Sequence, residues 1–349
     1  MPGSEQRRTL TALGLLALTG GLVVALIVVL NRSGPAGGSG GGGTPSGQAG
    51  VTPQRTVQPT DEQLAAVLDS AKKLVSEQEI AKAQAVLEGA IRQYPETQDL
   101  YLALAQVLVN ANDLEGAYAQ FERALAVGPA TAPVQYGAGT LALTLGKVDR
   151  AEEHFSAAQT ADPRDPDYPQ SLAQVYTRRN QLPEASAALL RAANLDPGRA
   201  KVWANLAELE LRQNRPSTGH QYILKARELE PRTAAWRLIE ARALNRLGKA
   251  EQAANLLAGL DPESRHQLPV LRLLAESYGL LKRPDLAADA YAQASDAVPT
   301  DPQLAYEAAT AADRAARPGE ARRLAVRAES LGHAEARALA DRLANAPER

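Results

Sequence analysis

Five prolines, Pro95, Pro129, Pro163, Pro197 and Pro231, stand 34 residues apart, and Pro299 lies two further periods on. A fixed period of this size means stacked supersecondary units, each too small to bury its own apolar face, so that stability comes from neighbours. Other columns keep the same frame. Small residues recur at Ala71, Ala105, Gly139, Ala173, Ala207, Ala241, Ala275 and Ala309. Twelve residues after each comes another: Ala83, Ala117, Ala151, Ala185, Gly219, Ala253, Ala287 and Ala321. A third column runs Ala90, Ala124, Ala158, Ala192, Ala226, Leu260, Ala294 and Ala328. With aromatics at only 4% of residues, the core must be built from Ala, Leu and Val. Small side chains let paired helices approach closely. Leu87, Phe121, Phe155, Leu189, Ile223, Leu257 and Tyr291 are then placed to fill the layer between repeats. Proline has no amide donor and restrains the residue before it, so each periodic proline ends a second helix. Gly146 and Gly248 fall at the turn inside a pair, where a C-terminal cap glycine belongs.

On these residues the chain, from 64 to about 335, resembles the tetratricopeptide repeat (TPR) family. One repeat supplies Tyr101, Leu104, Ala105, Leu108, Ala117, Phe121, Ala124 and Pro129, and another Trp203, Leu206, Ala207, Ala226 and Pro231. The resemblance implies an all-α fold, a TPR α-solenoid. Its eight antiparallel helix pairs would start near residues 64, 98, 132, 166, 200, 234, 268 and 302 and stack into a right-handed superhelix with a concave inner face. Repeats would fill residues 61–333, and residues 334–349 would form a capping helix and tail. One repeat departs from the pattern. Arg265 replaces the expected proline, Pro262 comes three residues early, Glu240 takes an apolar position and Arg237 an aromatic one. We expect Trp236 and Ile239 to pack instead, rotating that helix, and a weak joint near residues 260–268.

The front of the chain has different physics. Of 26 glycines, 13 lie before residue 61. Residues 1–8 precede an uncharged stretch from Thr9 to Leu30, whose 22 residues as a helix would span roughly 33 Å, enough for a bilayer core. Arg7 and Arg8 before it and Arg32 after it favour a cytoplasmic N-terminus and a repeat domain outside the cytoplasm. A cleaved signal peptide is the competing reading and would give a secreted protein. Residues 31–60 are a linker. From Ser33 to Thr60 it holds Gly, Ser, Thr, Pro and Gln with Arg55 the only charge, too polar to repay ordering.

Composition excludes several chemistries. The 38 Lys and Arg against 40 Asp and Glu leave a net charge of -2, unlike a nucleic-acid footprint. Absence of cysteine removes thiolate catalysis and Cys-ligated metal sites, and His154, His220, His266 and His333 occupy different repeat positions. No hydrolase, zincin or Rossmann signature appears, and the repeats leave no room for a catalytic domain. The chain reads as non-enzymatic, with no cofactor and no metal.

Binding is what TPR surfaces do, and the resemblance puts repeat positions 2, 5, 9, 12 and 13 on the inner face. In the first three repeats these include Leu68, Val75, Leu102, Val109, Tyr136 and Leu143, an apolar stripe. An exposed patch of that kind marks an interaction site, unless residues 51–60 or the curvature of the stack cover it. Farther on, the face turns cationic with Arg178, Lys201, Arg212, Arg242, Arg246 and Arg272. Arg178, Arg212, Arg246 and Arg314 share position 13, where a cation complements the helix dipole. The same arginines could clamp a carboxylate or acidic peptide. We therefore expect a single-pass, membrane-anchored scaffold binding protein or peptide partners, in cell-envelope assembly or secretion by analogy. The alternative is a regulatory subunit docked on a membrane enzyme.

Overall fold

A computed structural model describes residues 58–345. The stretch 9–30, read above as a membrane span, and most of the linker lie outside the described residues. No helix among the described residues is long and apolar enough to cross a membrane. Every regular element among them is helical. The chain divides into two compact units between Gln181 and Leu182.

The first unit holds α1 (Asp61–Ser76), α2 (Ile80–Gln93), α3 (Gln98–Asn110), α4 (Leu114–Val127), α5 (Ala132–Thr144), α6 (Val148–Ala161) and α7 (Asp167–Arg178). Consecutive helices pack together, first helix against second within a repeat and second against the next first. Thr60 starts the stack with a reciprocal cap: its Oγ1 accepts from the Gln63 amide, and its own amide donates to Gln63 Oε1.

The second unit holds α8 (Leu182–Leu195), α9 (Ala200–Arg212), α10 (Pro216–Leu229), α11 (Ala234–Arg246), α12 (Ala250–Ala258), α13 (Pro262–Arg265), α14 (Leu268–Leu280), α15 (Pro284–Ala297), α16 (Pro302–Arg314), α17 (Pro318–Ser330) and α18 (Ala336–Ala344). It closes on α18, whose Leu339, Ala340 and Leu343 bury against Ala308, Ala309 and Leu324.

The periodic residues sit where the spacing placed them. Each of Pro95, Pro129, Pro163, Pro197, Pro231 and Pro299 stands two residues past a second helix. Every residue of the three small columns is buried, and so are the large fillers except the half-buried Tyr291. At Gly139 a Cβ would lie 2.8 Å from the Phe155 ring, so the missing side chain is what lets α5 approach α6. The turn inside each pair has one solution. Gln78, Asn112, Gly146, Asn180, Asn214, Gly248, Lys282 and Ala316, 34 residues apart, all adopt positive φ. The next amide then bonds five residues back, as Lys147 N–H does to Ala142 O at 2.8 Å.

The irregular repeat corrects one expectation. Trp236 and Ile239 stay only half-buried, while Ala241, Leu244 and Ala253 keep the core register, so the helix is not rotated. Glu240 itself goes inside, 6% exposed, where Arg227 donates to it and His220 Nε2 lies 3.7 Å away. The buried pair replaces the apolar residue. The interruption comes later: α12 has 9 residues against 14 in α10, and Asp261 caps the single turn α13 by accepting from the Ser264 amide at 2.9 Å.

Candidate functional site

The first helices of the first unit bring the apolar positions together, but not as an open stripe. Leu102, Val109 and Leu143 are 2%, 6% and 7% exposed. Packing within the first unit covers all three. Tyr136 is half-buried, with its ring centroid 5.7 Å from Phe155 and 5.4 Å from Tyr168. Leu68 and Val75, on the end helix α1, remain half-buried. The expected continuous patch is thus broken into buried and open parts.

What is open is a cleft of about 410 Å³ between α1 and α3. Leu68, Ala71, Val75, Leu102 and Val107 form its apolar walls, and Lys72, Asp99, Gln106 and Asn110 its polar ones. Gln106 Nε2 donates to Asn110 Oδ1 at 3.4 Å, and Gln106 Oε1 is buried with no hydrogen-bond partner. A buried, unsatisfied acceptor costs about 1–3 kcal/mol. Gln106 and Lys72 share repeat position 9, and nothing in the sequence marks this amide beyond its place in that frame.

The arginines have other duties. Arg178 donates to the Leu143 carbonyl and Arg246 to the Leu211 carbonyl. Each adds a second donor to a last-turn carbonyl of the preceding repeat's first helix, which already accepts from the turn amide of Gly146 or Asn214. Arg242 Nη1 lies 2.5 Å from Glu208 Oε1, and Arg272 Nη2 lies 2.7 Å from Glu307 Oε1. The cations that offered an anion clamp as one alternative are therefore largely neutralised or bonded to backbone. Arg212 also has a partner, and Lys201 is exposed on α9. A second cleft of about 270 Å³, lined by Leu238, Arg242, Pro269, Arg272, Leu273, Glu276 and Tyr291, is of mixed charge. Burial pushes the Tyr291 hydroxyl pKa up.

The four histidines are each engaged locally. His154 is buried between α4 and α6, with Nδ1 2.7 Å from Gln135 Oε1 and Nε2 3.3 Å from the Tyr118 hydroxyl. His266 Nδ1 lies 2.6 Å from the Pro262 carbonyl, and His333 stacks on Tyr306 at 4.1 Å. Among the described residues no group of three His, Cys, Asp or Glu is placed to hold a metal.

Stacked antiparallel helix pairs with a groove on the first helices define a helical-repeat interaction protein. Tetratricopeptide repeat profiles match residues 68–131, 102–166 and 142–209, so this part of the chain consists of tetratricopeptide repeats. Solved structures extend the likeness of fold. A tetratricopeptide repeat protein from Parabacteroides merdae is 15% identical with a TM-score of 0.55, over 71% of this chain and 99% of that one. The C-terminal part of a TPR repeat-containing protein from Cytophaga hutchinsonii is 15% identical with a TM-score of 0.56, over 68% and 97%. A chain of the APC/C hetero-tetramer Cut9–Hcn1 is 17% identical at a TM-score of 0.47, over 79% of this chain; this protein spans 55% of its length. No curated protein matches the chain. The fold is one that serves protein–protein interaction.

Proposed function

We propose that the protein is a non-enzymatic, membrane-anchored adaptor that captures a peptide segment of a partner protein in the α1–α3 cleft. The observation that carries this is the cleft itself: apolar walls, room for a few side chains, and polar side chains Lys72, Asp99, Gln106 and Asn110 among them. Lys72 and Asp99 at its sides offer charges of both signs to fix the direction of the segment. Among the first-helix residues of this unit, Leu68 and Val75 are the apolar side chains best placed to touch it. Leu102 supplies the floor rather than a free surface.

Residues 9–30 serve as the single-pass anchor in this reading, with residues 1–8 cytoplasmic and the repeats outside the cytoplasm. Residues 31–60 form the arm. Tethering concentrates the cleft near partners at the same membrane, which suits a role in envelope assembly or secretion. The absence of catalytic signatures in the sequence and the occupation of the histidines by local bonds support a non-enzymatic role.

The test is capture of partners from solubilised membranes by the full chain and by Leu68→Glu. Leu68 is half-buried at the cleft wall, so a carboxylate there should fill and charge the cleft while leaving helical content unchanged. Loss of the captured protein with an unaltered circular dichroism spectrum supports the cleft. Equal capture by both forms rejects it.

A further inference from the structure

The shortened helix α12 also leaves an opening within the second unit. Where α10 and α15 run 14 residues, α12 stops at Ala258, and α13 turns the chain aside. A cleft of about 400 Å³ opens between α13 and α15 above α14. Its floor is Leu271 and Leu274, both buried, and Leu286 stands on its edge 38% exposed. The cationic wall is Arg265. Its Nε is buried without a hydrogen-bond partner, and no acidic side chain among the described residues pairs with it. The acid that lines the cleft, Asp289, is already taken by Arg317 Nη1 at 2.5 Å. His266 turns its Nδ1 to the Pro262 carbonyl and adds no negative charge.

We propose that this cleft docks a second partner segment, acidic and leucine-rich, whose carboxylate pairs with Arg265 while its aliphatic side chains cover Leu271, Leu274 and Leu286. Arg265 lines the cleft as a cation with no acidic partner, and a carboxylate is the best geometric match for a guanidinium. The segment belongs to another protein. Residues 1–57 hold a single acid, Glu5, and the tail 346–349 holds Glu348 beside Arg349, so neither undescribed part of this chain has the required charge. The site is separate from the α1–α3 cleft and goes beyond the function proposed above.

The probe is a fluorescein-labelled octapeptide of alternating leucine and glutamate, titrated by fluorescence anisotropy against the full chain. Arg265→Gln and Leu286→Asp, both at positions outside the buried core, should each weaken binding about tenfold. The peptide with glutamine in place of glutamate should bind about as weakly to the unaltered chain. Leu68→Glu should bind the probe normally. No binding by the unaltered chain overturns the proposal, as does equal binding by Arg265→Gln or by the glutamine peptide. Loss of binding in Leu68→Glu also overturns it, since the probe would then sit in the other cleft.

Discussion

At the scale of single residues, the eight positive-φ turns show how repeats share a backbone but not a side chain. Gly146 and Gly248 occupy that conformation at no steric cost, and Asn112, Asn180 and Asn214 tolerate it. Gln78, Lys282 and Ala316 have no such preference and are held there by the paired helices. Ala316→Gly should therefore stabilise the protein by about 0.5–1 kcal/mol, read as a higher urea midpoint. Gly146→Ala should cost about 1 kcal/mol in the same experiment. His154 gives a pH-dependent prediction. Burial lowers its pKa below the 6.5 of an unfolded histidine, with Glu122 opposing and Arg150 reinforcing the shift, and Tyr118, Gln135 and Glu153 complete its surroundings. The folded state then favours the neutral ring. Stability is complete above pH 6.5 and declines as pH falls below it, where the unfolded chain takes up a proton that the folded chain resists. The urea midpoint should drop between about pH 7 and pH 5.5, and less steeply in His154→Gln.

Elements decide which of the apolar residues are available. From spacing alone, Leu68, Leu102 and Tyr136 are equivalent, because they share repeat position 5. Packing separates them: Leu102 on α3 is buried, whereas Tyr136 on α5 and Leu68 on α1, before which no first helix is described, are half-buried. Leu102→Arg should accordingly unfold the first unit, costing more than about 3 kcal/mol for an unpaired buried charge, whereas Leu68→Glu should leave the melting curve nearly unchanged. Thermal unfolding followed by circular dichroism separates the two. The position-13 arginines teach the same lesson. A cation near a helix C-terminus suggested both a dipole complement and an anion clamp, and the structure shows Arg178 and Arg246 spent on carbonyls one repeat back.

For the whole molecule, location matters as much as shape. The formal charge of -2 conceals +3 in residues 1–60, from Arg7, Arg8, Arg32 and Arg55 against Glu5, and -5 in the remainder. The uncharged stretch between Arg8 and Asn31 is what assigns the repeats to a membrane in our reading. Since the chain has no cysteine, one introduced as Gly47→Cys is a unique reporter. An impermeant thiol reagent should label it in intact spheroplasts. Labelling only after lysis would reverse the orientation we propose.

The sequence alone determined the period, the proline-marked ends of the second helices and the small-residue contacts, because these depend on local backbone chemistry and on volume repeated every 34 residues. Proline placement and the alanine columns carry that information within one repeat. Tertiary structure alone decided which equivalent positions are open. Exposure of Leu68 against Leu102, the neutralisation of Arg242 by Glu208 and Arg272 by Glu307, and the cleft beneath Leu286 all depend on the neighbouring repeat. The early stop of α12 was foreshadowed by Pro262, yet the unpartnered Arg265 Nε beside it follows from how α13 settles over α14. Repeats make folding local and legible, whereas clefts open where one repeat fails to cover the next.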